Sequence, residues 1–307
     1  MNRNCPNCGS ESNILVSKAG KEPHEFNPSE ISNLFVGLRP EQVFFLYVRC
    51  VNCNLVYCPE YFSKDQLDIL YSHMPPNLVG DELDIVDKTH SGYSRFIVKR
   101  VKQSGTDLAN KSLLELGADL GLVTGPIVES LKIGSGILVE PNLDVRQQLL
   151  NAVGNNPKFI ISNDFREHQQ SNSEKFDLVI AIHVVDHLLD PKFELRAVYD
   201  SMAKGSHIFI VVHNQKSLLA RAMRAKWPPY CLQHPQLFDQ KSLSAMLEDI
   251  GFQVVGVSRT TNYVGLRNGI MTLLEILRVP NKWLRFLPNI PIPVKYGNIM
   301  LEAKKTL

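Results

Sequence analysis

Two carboxylates stand where a ligand would meet a sheet. Glu115 follows the apolar run Ser112-Leu113-Leu114 and precedes the turn Leu116-Gly117-Ala118-Asp119-Leu120-Gly121. Glu140 closes the next apolar run, Gly136-Ile137-Leu138-Val139. In open α/β sheets, ligands bind at the carboxyl ends of the strands. A strand-end acid beside a tight glycine turn, then a second acid at the next strand end, suits a ligand with an ammonium group and a ribose.

S-adenosylmethionine carries both groups. A nicotinamide dinucleotide is the competing ligand, but its fingerprint is G-x-G-x-x-G opening a helix, with an acid about 20 residues on. Here the glycines are spaced G-x-x-x-G and the acid stands before the first of them. Glu115 therefore favours the adenosyl ligand. A strand-turn-helix corner that binds nothing is the plain alternative.

A second constellation lies at the front of the chain. Cys5-Pro6-Asn7-Cys8 and Cys50-Val51-Asn52-Cys53 each present two thiolates on a tight turn. Two such turns complete a tetrahedral Zn²⁺ shell. The stretch 44–48 reads as a strand leading into the second pair, and 55–57 as its hairpin partner, which is a zinc ribbon. Four cysteines leave no open coordination position, so an ion at Cys5, Cys8, Cys50 and Cys53 is structural. Cys58 reads as a strand-end cysteine, and Cys231 stands alone. A redox role for either pair lacks the βαβ context it needs.

The elements that must position these groups follow from hydrophobic patterning. Residues 61–110 read as mainly helical, with a break at Met74-Pro75-Pro76. Strands are expected at 113–116, 137–139, 159–161, 176–182, 208–212, 253–257 and 299–303, with helices at 124–131, 143–153 and 243–250. Continuous β-branched runs, rather than alternation, imply strands covered on both faces and so a mostly parallel sheet. The expected organisation is a zinc ribbon over 1–60, a helical connector over 61–110, and a Rossmann-like α/β domain over 111–307.

An insert at 261–297 carries Arg267, Arg278, Lys282, Arg285 and Lys295 against the single acid Glu275. Its Ile270, Leu273, Leu274 and Leu277 fall at helical spacing, and Trp283 follows. A lid over the active site is the preferred reading. A membrane-surface contact for a lipid-linked acceptor is the sharper one.

Bulk properties narrow the class. With 307 residues, 44% hydrophobic and 21% charged, the chain reads as an ordinary globular protein. A net charge of +2 gives no field for nucleic acid. The start Met1-Asn2-Arg3-Asn4-Cys5 has no apolar signal core, and no apolar run reaches the length of a membrane span. The expected location is the cytoplasm.

Taken in order, these pieces resemble a known family. They are the paired C-x-x-C turns, Leu114-Glu115-Leu116-Gly117, Val139-Glu140-Pro141-Asn142, Phe176-Asp177-Leu178-Val179, the run from His183 to Pro191, Gln233-His234 and Gly251-Phe252. The chain resembles a class I S-adenosylmethionine-dependent methyltransferase with an N-terminal zinc ribbon, a group that includes sugar C-methyltransferases. The resemblance implies that Glu115 and the turn Gly117, Asp119 and Gly121 hold the methionine end of the cofactor. It implies that Glu140, followed by Pro141, grips the ribose hydroxyls, and that Asp164 and Phe165 meet the adenine. His183 would face the sulfonium.

Two departures from the family pattern stand out. Asp119 occupies the position of the turn's usual middle glycine, where its carboxylate could repel the cofactor's own. Gln233 stands where similar sugar C-methyltransferases often carry Glu, which makes O- or N-methylation more plausible than proton abstraction from carbon. The candidate general base is His234, in the loop Trp227-Pro228-Pro229-Tyr230-Cys231-Leu232-Gln233-His234, with a loop-fixing histidine as its plain reading. His183 and His187 are four apart, but His183 ends a strand, so a shared metal is disfavoured. His187 is expected to fix its loop through the backbone, and His213 to line the substrate side. The acceptor implied is a small molecule, by resemblance a nucleotide sugar or another precursor of a surface polysaccharide or secondary metabolite. The rival is a non-catalytic module, in which the zinc ribbon recognises a partner and the second domain is a degenerate scaffold.

Overall fold

The computed structural model describes residues 1–17, 22–26, 31, 34, 35, 43–72, 83–168, 175–276, 279, 284, 286–295 and 297–306. The Met74-Pro75-Pro76 break lies outside these residues, as do Leu277, Arg278, Lys282, Trp283, Arg285 and the side chains of Leu273 and Glu275.

The apolar runs become one seven-stranded sheet. Its strands are β4 (Ser112–Leu116), β5 (Ser135–Val139), β6 (Phe159–Ser162), β7 (Phe176–Ile182), β8 (Met202–His213), β10 (Phe252–Arg259) and β13 (Asn298–Lys305). They lie in the order β10-β13-β8-β7-β4-β5-β6. From β8 to β6 all pairs are parallel, and β13 runs antiparallel to both β8 and β10. Leu113, Leu114, Leu178, Val179 and Ile180 are completely buried. Strands covered on both faces need apolar side chains at successive positions, which is why these segments read as continuous runs. The fold is a Rossmann-like α/β fold with a mostly parallel sheet, as the patterning implied.

The helices that cover the sheet follow the same logic. Helices α1 (Lys64–Ser72) and α2 (Leu83–Gln103) precede the sheet. Helix α2 buries Ile85, Thr89, Tyr93, Ile97 and Val101 at four-residue intervals, the helical period. Helix α3 (Thr124–Leu131) has the bounds expected. The helix expected over 143–153 instead begins as a 3-10 turn, Leu143–Val145, because the Asn142 side chain accepts from the Asp144 amide at 3.0 Å. The α-helix proper, α4, spans Arg146–Ala152. Strand β8 starts at Met202 rather than 208, directly after helix α5 (Pro191–Ser201). Helix α6 (Leu218–Met223) follows it. Helix α7 (Gln240–Ile250) starts at a capping box of Asp239 and Ser242 and stops at Gly251.

The front of the chain forms a four-stranded sheet in the order β1-β2-β3-β9. Its strands are β1 (Asn13–Ser17), β2 (Tyr47–Cys50), β3 (Val56–Tyr57) and β9 (Gln236–Leu237). Residues 44–46, expected at the start of β2, precede it instead. The unexpected member is β9, which comes from the loop after β8 and pairs antiparallel with β3. A shared core matches this shared sheet. Phe45, Tyr47, Tyr61 and Phe62 are buried with Trp227, Tyr230, Leu232 and Leu237. The rings of Phe45 and Phe62 meet edge to face at 5.0 Å, and those of Tyr47 and Tyr230 at 5.0 Å. Removing so large a buried ring as Trp227 costs about 3–5 kcal/mol.

Within the insert, β11 (Asn262–Gly265) pairs with β12 (Pro291–Val294), and helix α8 (Leu266–Ile276) lies between them. The Tyr263 amide donates to Thr89 Oγ1 at 2.8 Å, which ties this hairpin to α2. No helix among the described residues is long and apolar enough to cross a membrane.

Candidate active site

The strand order reverses at β4: the chain runs outward to β5 and β6, then returns to place β7 on the other side of β4. Such a switch point opens a crevice between the loops at the strands' carboxyl ends. The two loops meet closely here. A Cβ on Gly117 would lie 3.1 Å from the Val184 side chain, and Gly117 has φ +67°. Gly121, at φ +73°, would place a Cβ 2.6 Å from the Ala152 Cβ. Both positions require glycine.

The turn joins the two acids found in the sequence. The Asp119 amide donates to Glu140 Oε2 at 2.8 Å, and the Asn142 amide donates to Glu140 Oε1 at 2.9 Å. Glu140 thereby holds the glycine turn at the mouth of the crevice, with Pro141 half-buried beside it. Asp119 has φ +46°. Asp is among the few non-glycine residues that visit this region readily, so the turn keeps its shape without the usual glycine. Burial raises the Asp119 and Glu140 carboxyls above their ordinary range. Glu115 is 2% exposed and accepts a hydrogen bond from the Thr124 hydroxyl, which ties β4 to the start of α3. Burial pushes its carboxyl up to about 8.

Asp164 and Phe165 sit at the end of β6. The Asp164 carboxylate takes the Arg166 guanidinium through both oxygens, at 2.9 Å from Nε and 2.7 Å from Nη2. Phe165 is buried in the main core. These two residues are thus engaged with the protein itself.

On the other side of Val184 the loop after β7 gathers the histidines. His183 has φ +53°, and its amide donates to the Val211 carbonyl at 2.9 Å. Its Nε2 lies 3.3 Å from Tyr93 Oη and 3.1 Å from Asn298 Nδ2. His213, at the end of β8, donates from Nδ1 to Asp186 Oδ2 at 2.7 Å. The rings of His183 and His213 are 4.6 Å apart, and those of His213 and His234 4.8 Å. Burial works against charge on Asp186, but the His213 bond and the nearby His234 and His187 hold its carboxyl well below the usual range. His213 stays neutral because burial lowers its own pKa. An ionised Asp186 facing a neutral N–H donor is the consistent description.

His234 is fixed at both nitrogens. Nδ1 lies 2.7 Å from the Pro229 carbonyl, which can only accept, so Nδ1 carries a proton. Nε2 lies 3.0 Å from His187 Nε2, and one of the two donates. Burial disfavours the imidazolium, yet Cys231, Asp186 and the Pro229 carbonyl together raise His234 to about 9. Burial lowers its neighbour His187 to about 3. His187 was expected to bond to backbone; its ring instead meets the Tyr71 hydroxyl at 3.2 Å and His234. Gln233 is buried beside the front module.

Nothing in the local sequence singles out Asp186, Tyr71 or Tyr93. The first lies within His183-Val184-Val185-Asp186-His187, but its pairing with His213 spans 27 residues, a relation only the adjacency of β7 and β8 creates.

The cysteine pairs do converge. The Sγ atoms of Cys5 and Cys53 are 3.4 Å apart, those of Cys8 and Cys50 3.5 Å, and all four lie within 4.8 Å of one another. A tetrahedron with metal–sulfur arms of about 2.3 Å has edges of about 3.8 Å, so the set fits one four-coordinate ion. The shared hydrogen bond raises the Cys5 thiol and lowers Cys53 to about 5. Cys58 is buried and lies outside the group.

Comparison with known proteins places this architecture. Residues 90–257 match the family model described as a methyltransferase domain. No curated protein matches the chain. Among solved structures, magnesium protoporphyrin IX methyltransferase from Synechocystis PCC 6803, with bound S-adenosylhomocysteine, is 11% identical with a TM-score of 0.52, over 80% of this chain and 100% of that one. The N-methyltransferase NodS from Bradyrhizobium japonicum WM9, also with S-adenosylhomocysteine, is 11% identical with a TM-score of 0.47, over 78% of this chain and 97% of that one. At such identities the likeness concerns the fold.

Proposed function

The chain belongs to the methyltransferase-domain family, and from that premise we propose that it transfers the methyl group of S-adenosylmethionine to a small-molecule acceptor. The observation that carries this reading is the Asp119–Glu140 bond, which places a glycine turn and a strand-end carboxylate together at the switch point. In this reading Glu140, with Pro141, receives the ribose hydroxyls, since a carboxylate accepts from a hydroxyl pair. The turn Gly117, Asp119 and Gly121 takes the methionine end, and Glu115 anchors that turn from below through Thr124. Asp164 and Phe165 border the adenine, and His183 faces the sulfonium.

Methyl transfer is an in-line displacement, so the protein's main task is to hold the acceptor atom close and aligned. His234 is our candidate for the group that takes the acceptor's proton. Nδ1 is held by the Pro229 carbonyl, so Nε2 is the nitrogen that would take the proton, from the neutral ring and once released from His187. Gln233 cannot supply a second carboxylate base. This favours an oxygen or nitrogen acceptor over carbon, on a nucleotide sugar or a polysaccharide or secondary-metabolite precursor.

We further propose that the four cysteines hold a structural Zn²⁺ in a ribbon over 1–60, followed by a connector over 61–110 and the methyltransferase domain over 111–307. The ion would neutralise thiolates that otherwise repel one another. The segment 261–297 would act as a lid.

A second reading, a non-catalytic module on a methyltransferase scaffold, is favoured by one observation: Asp164 is already paired with Arg166. Incubation with methyl-labelled S-adenosylmethionine and a panel of nucleotide sugars separates the two. Label transfer to any acceptor supports the enzyme. Tight cofactor binding with no transfer across a broad panel supports the module.

A further inference from the structure

We infer that His183, Asp186 and His213 form a binding site for one divalent transition-metal cation, separate from the cysteine cluster. One ligand atom from each of the three residues lies within 4.8 Å of the others. Two buried atoms in this group have no hydrogen-bond partner, His183 Nδ1 and Asp186 Oδ1. Asp186 is 0% exposed, so its unpaired oxygen has no access to water. Leaving such an atom unsatisfied is destabilising, more so for a charged group. A cation between the imidazole and the carboxylate would satisfy both atoms at once.

The surroundings are those of a built site. His183 is fixed by its backbone bond to Val211, while Tyr93 and Asn298 steady the ring at Nε2. Binding at Nδ1 would move the His183 proton to Nε2, where the Tyr93 oxygen can accept it. The proton that His213 Nδ1 shares with Asp186 Oδ2 at 2.7 Å would be released when the ion takes its place. Two imidazoles and one carboxylate suit Mn²⁺, Fe²⁺, Co²⁺ or Zn²⁺ better than Mg²⁺ or Ca²⁺, which prefer all-oxygen shells. Three protein ligands leave positions open. His213 retains 13% of its side-chain exposure, so the site is not sealed from solvent. Because Val184, next to His183, packs over Gly117 of the proposed cofactor turn closely enough that a Cβ there would lie 3.1 Å away, the ion would sit near the transferable methyl group. There it would lower the pKa of an acceptor hydroxyl bound to it. That role rests on the methyltransferase reading, whereas the site itself does not.

The test is titration of the zinc-retaining protein with Mn²⁺, followed by electron paramagnetic resonance, with S-adenosylhomocysteine binding measured in parallel. Mn²⁺ prefers nitrogen and oxygen ligands and leaves thiolate sites alone. One bound Mn²⁺ is expected, with its affinity reduced at least about tenfold in His183→Gln and in Asp186→Asn but kept in His187→Gln. No Mn²⁺ binding by wild-type protein that binds S-adenosylhomocysteine overturns the site and leaves the methyltransferase reading intact. Loss in His187→Gln but not in His183→Gln also overturns it, moving the ion to the neighbouring trio Asp186, His187 and His234. Should the variants fail to fold, imidazole NMR of the wild type decides. Mn²⁺ is expected to broaden the His183 and His213 ring signals first, and uniform broadening of all histidines rejects the assignment.

Discussion

The Tyr47 hydroxyl, on the strand that leads into the second cysteine pair, donates to the backbone carbonyl of His234. Around it, Tyr61 donates to the Leu232 carbonyl, and β9 pairs with β3. Arg3 donates to Gln236, whose own amide reaches the Val185, Asp186 and Leu188 carbonyls. The front module therefore grips the loop that carries His234 and, through Gln236, the loop that carries Asp186. Its place in the fold is that of a support for the histidine cluster.

Tyr47→Phe tests this support. The change leaves the ring in place but strips a donor from buried carbonyls, which costs about 1–3 kcal/mol. Turnover is expected to fall while S-adenosylhomocysteine affinity stays near wild type, because the cofactor loops lie elsewhere. Paired turnover and calorimetric measurements check it. An equal loss of both would show that the tyrosine supports the whole fold rather than this loop.

Metal removal acts through the same route. Chelation under reducing conditions is expected to release about one Zn²⁺ per chain, lower the melting temperature, and diminish the near-ultraviolet signal of the aromatic cluster. Turnover should fall with it. A zinc-free protein of full activity would refute the structural coupling.

Asp119→Gly restores the glycine usual in the turn. It removes a left-handed non-glycine residue and a buried carboxyl that, in the proposed binding mode, would face the cofactor's own carboxylate. Relief of a like-charge contact, about 1 kcal/mol for two charges ~4 Å apart in water, corresponds to roughly fivefold tighter cofactor binding by calorimetry. Weaker binding in this variant would mean that the Asp119 side chain contributes a contact instead.

The buried Glu115 sets a pH dependence. Its carboxyl titrates at about 8 in the folded protein, against an ordinary value of 4.5. Between those values the folded chain keeps a proton that the unfolded chain has lost. The contribution is complete below the unfolded value and is lost as pH rises toward 8, by at most about 1.4 kcal/mol per pH unit. In Glu115→Gln, urea unfolding across this window should show that slope removed. Parallel pH profiles for wild type and variant would place the ionised carboxylate in the folded state.

Much of this was legible in the chain. The runs around Leu114 and Val179 announce buried parallel strands because both faces need apolar side chains. The paired C-x-x-C turns announce the cluster in which all four thiols lie within 4.8 Å of one another, because each tight turn fixes its own pair. What escaped reading depends on contacts between distant segments. Gln236 and Leu237 show no strand signal of their own, and become β9 only because β3 offers an edge. Asp186 looks like a loop acid until β7 and β8 lie side by side and bring His213 to it. The pairing of Asp164 with Arg166, two residues on, is a local choice that the sequence leaves undecided.

The central claim is adenosyl-cofactor binding at the switch point, and calorimetric titration of the zinc-loaded protein tests it most directly. S-adenosylmethionine and S-adenosylhomocysteine are the ligands, NADH the control, and Glu140→Ala the comparison. Binding of the adenosyl ligands at about micromolar affinity (roughly 8 kcal/mol), none of NADH, and a loss of at least about tenfold in Glu140→Ala is the predicted result. A folded protein that takes up neither adenosyl ligand, or a Glu140→Ala variant with wild-type affinity, would contradict it.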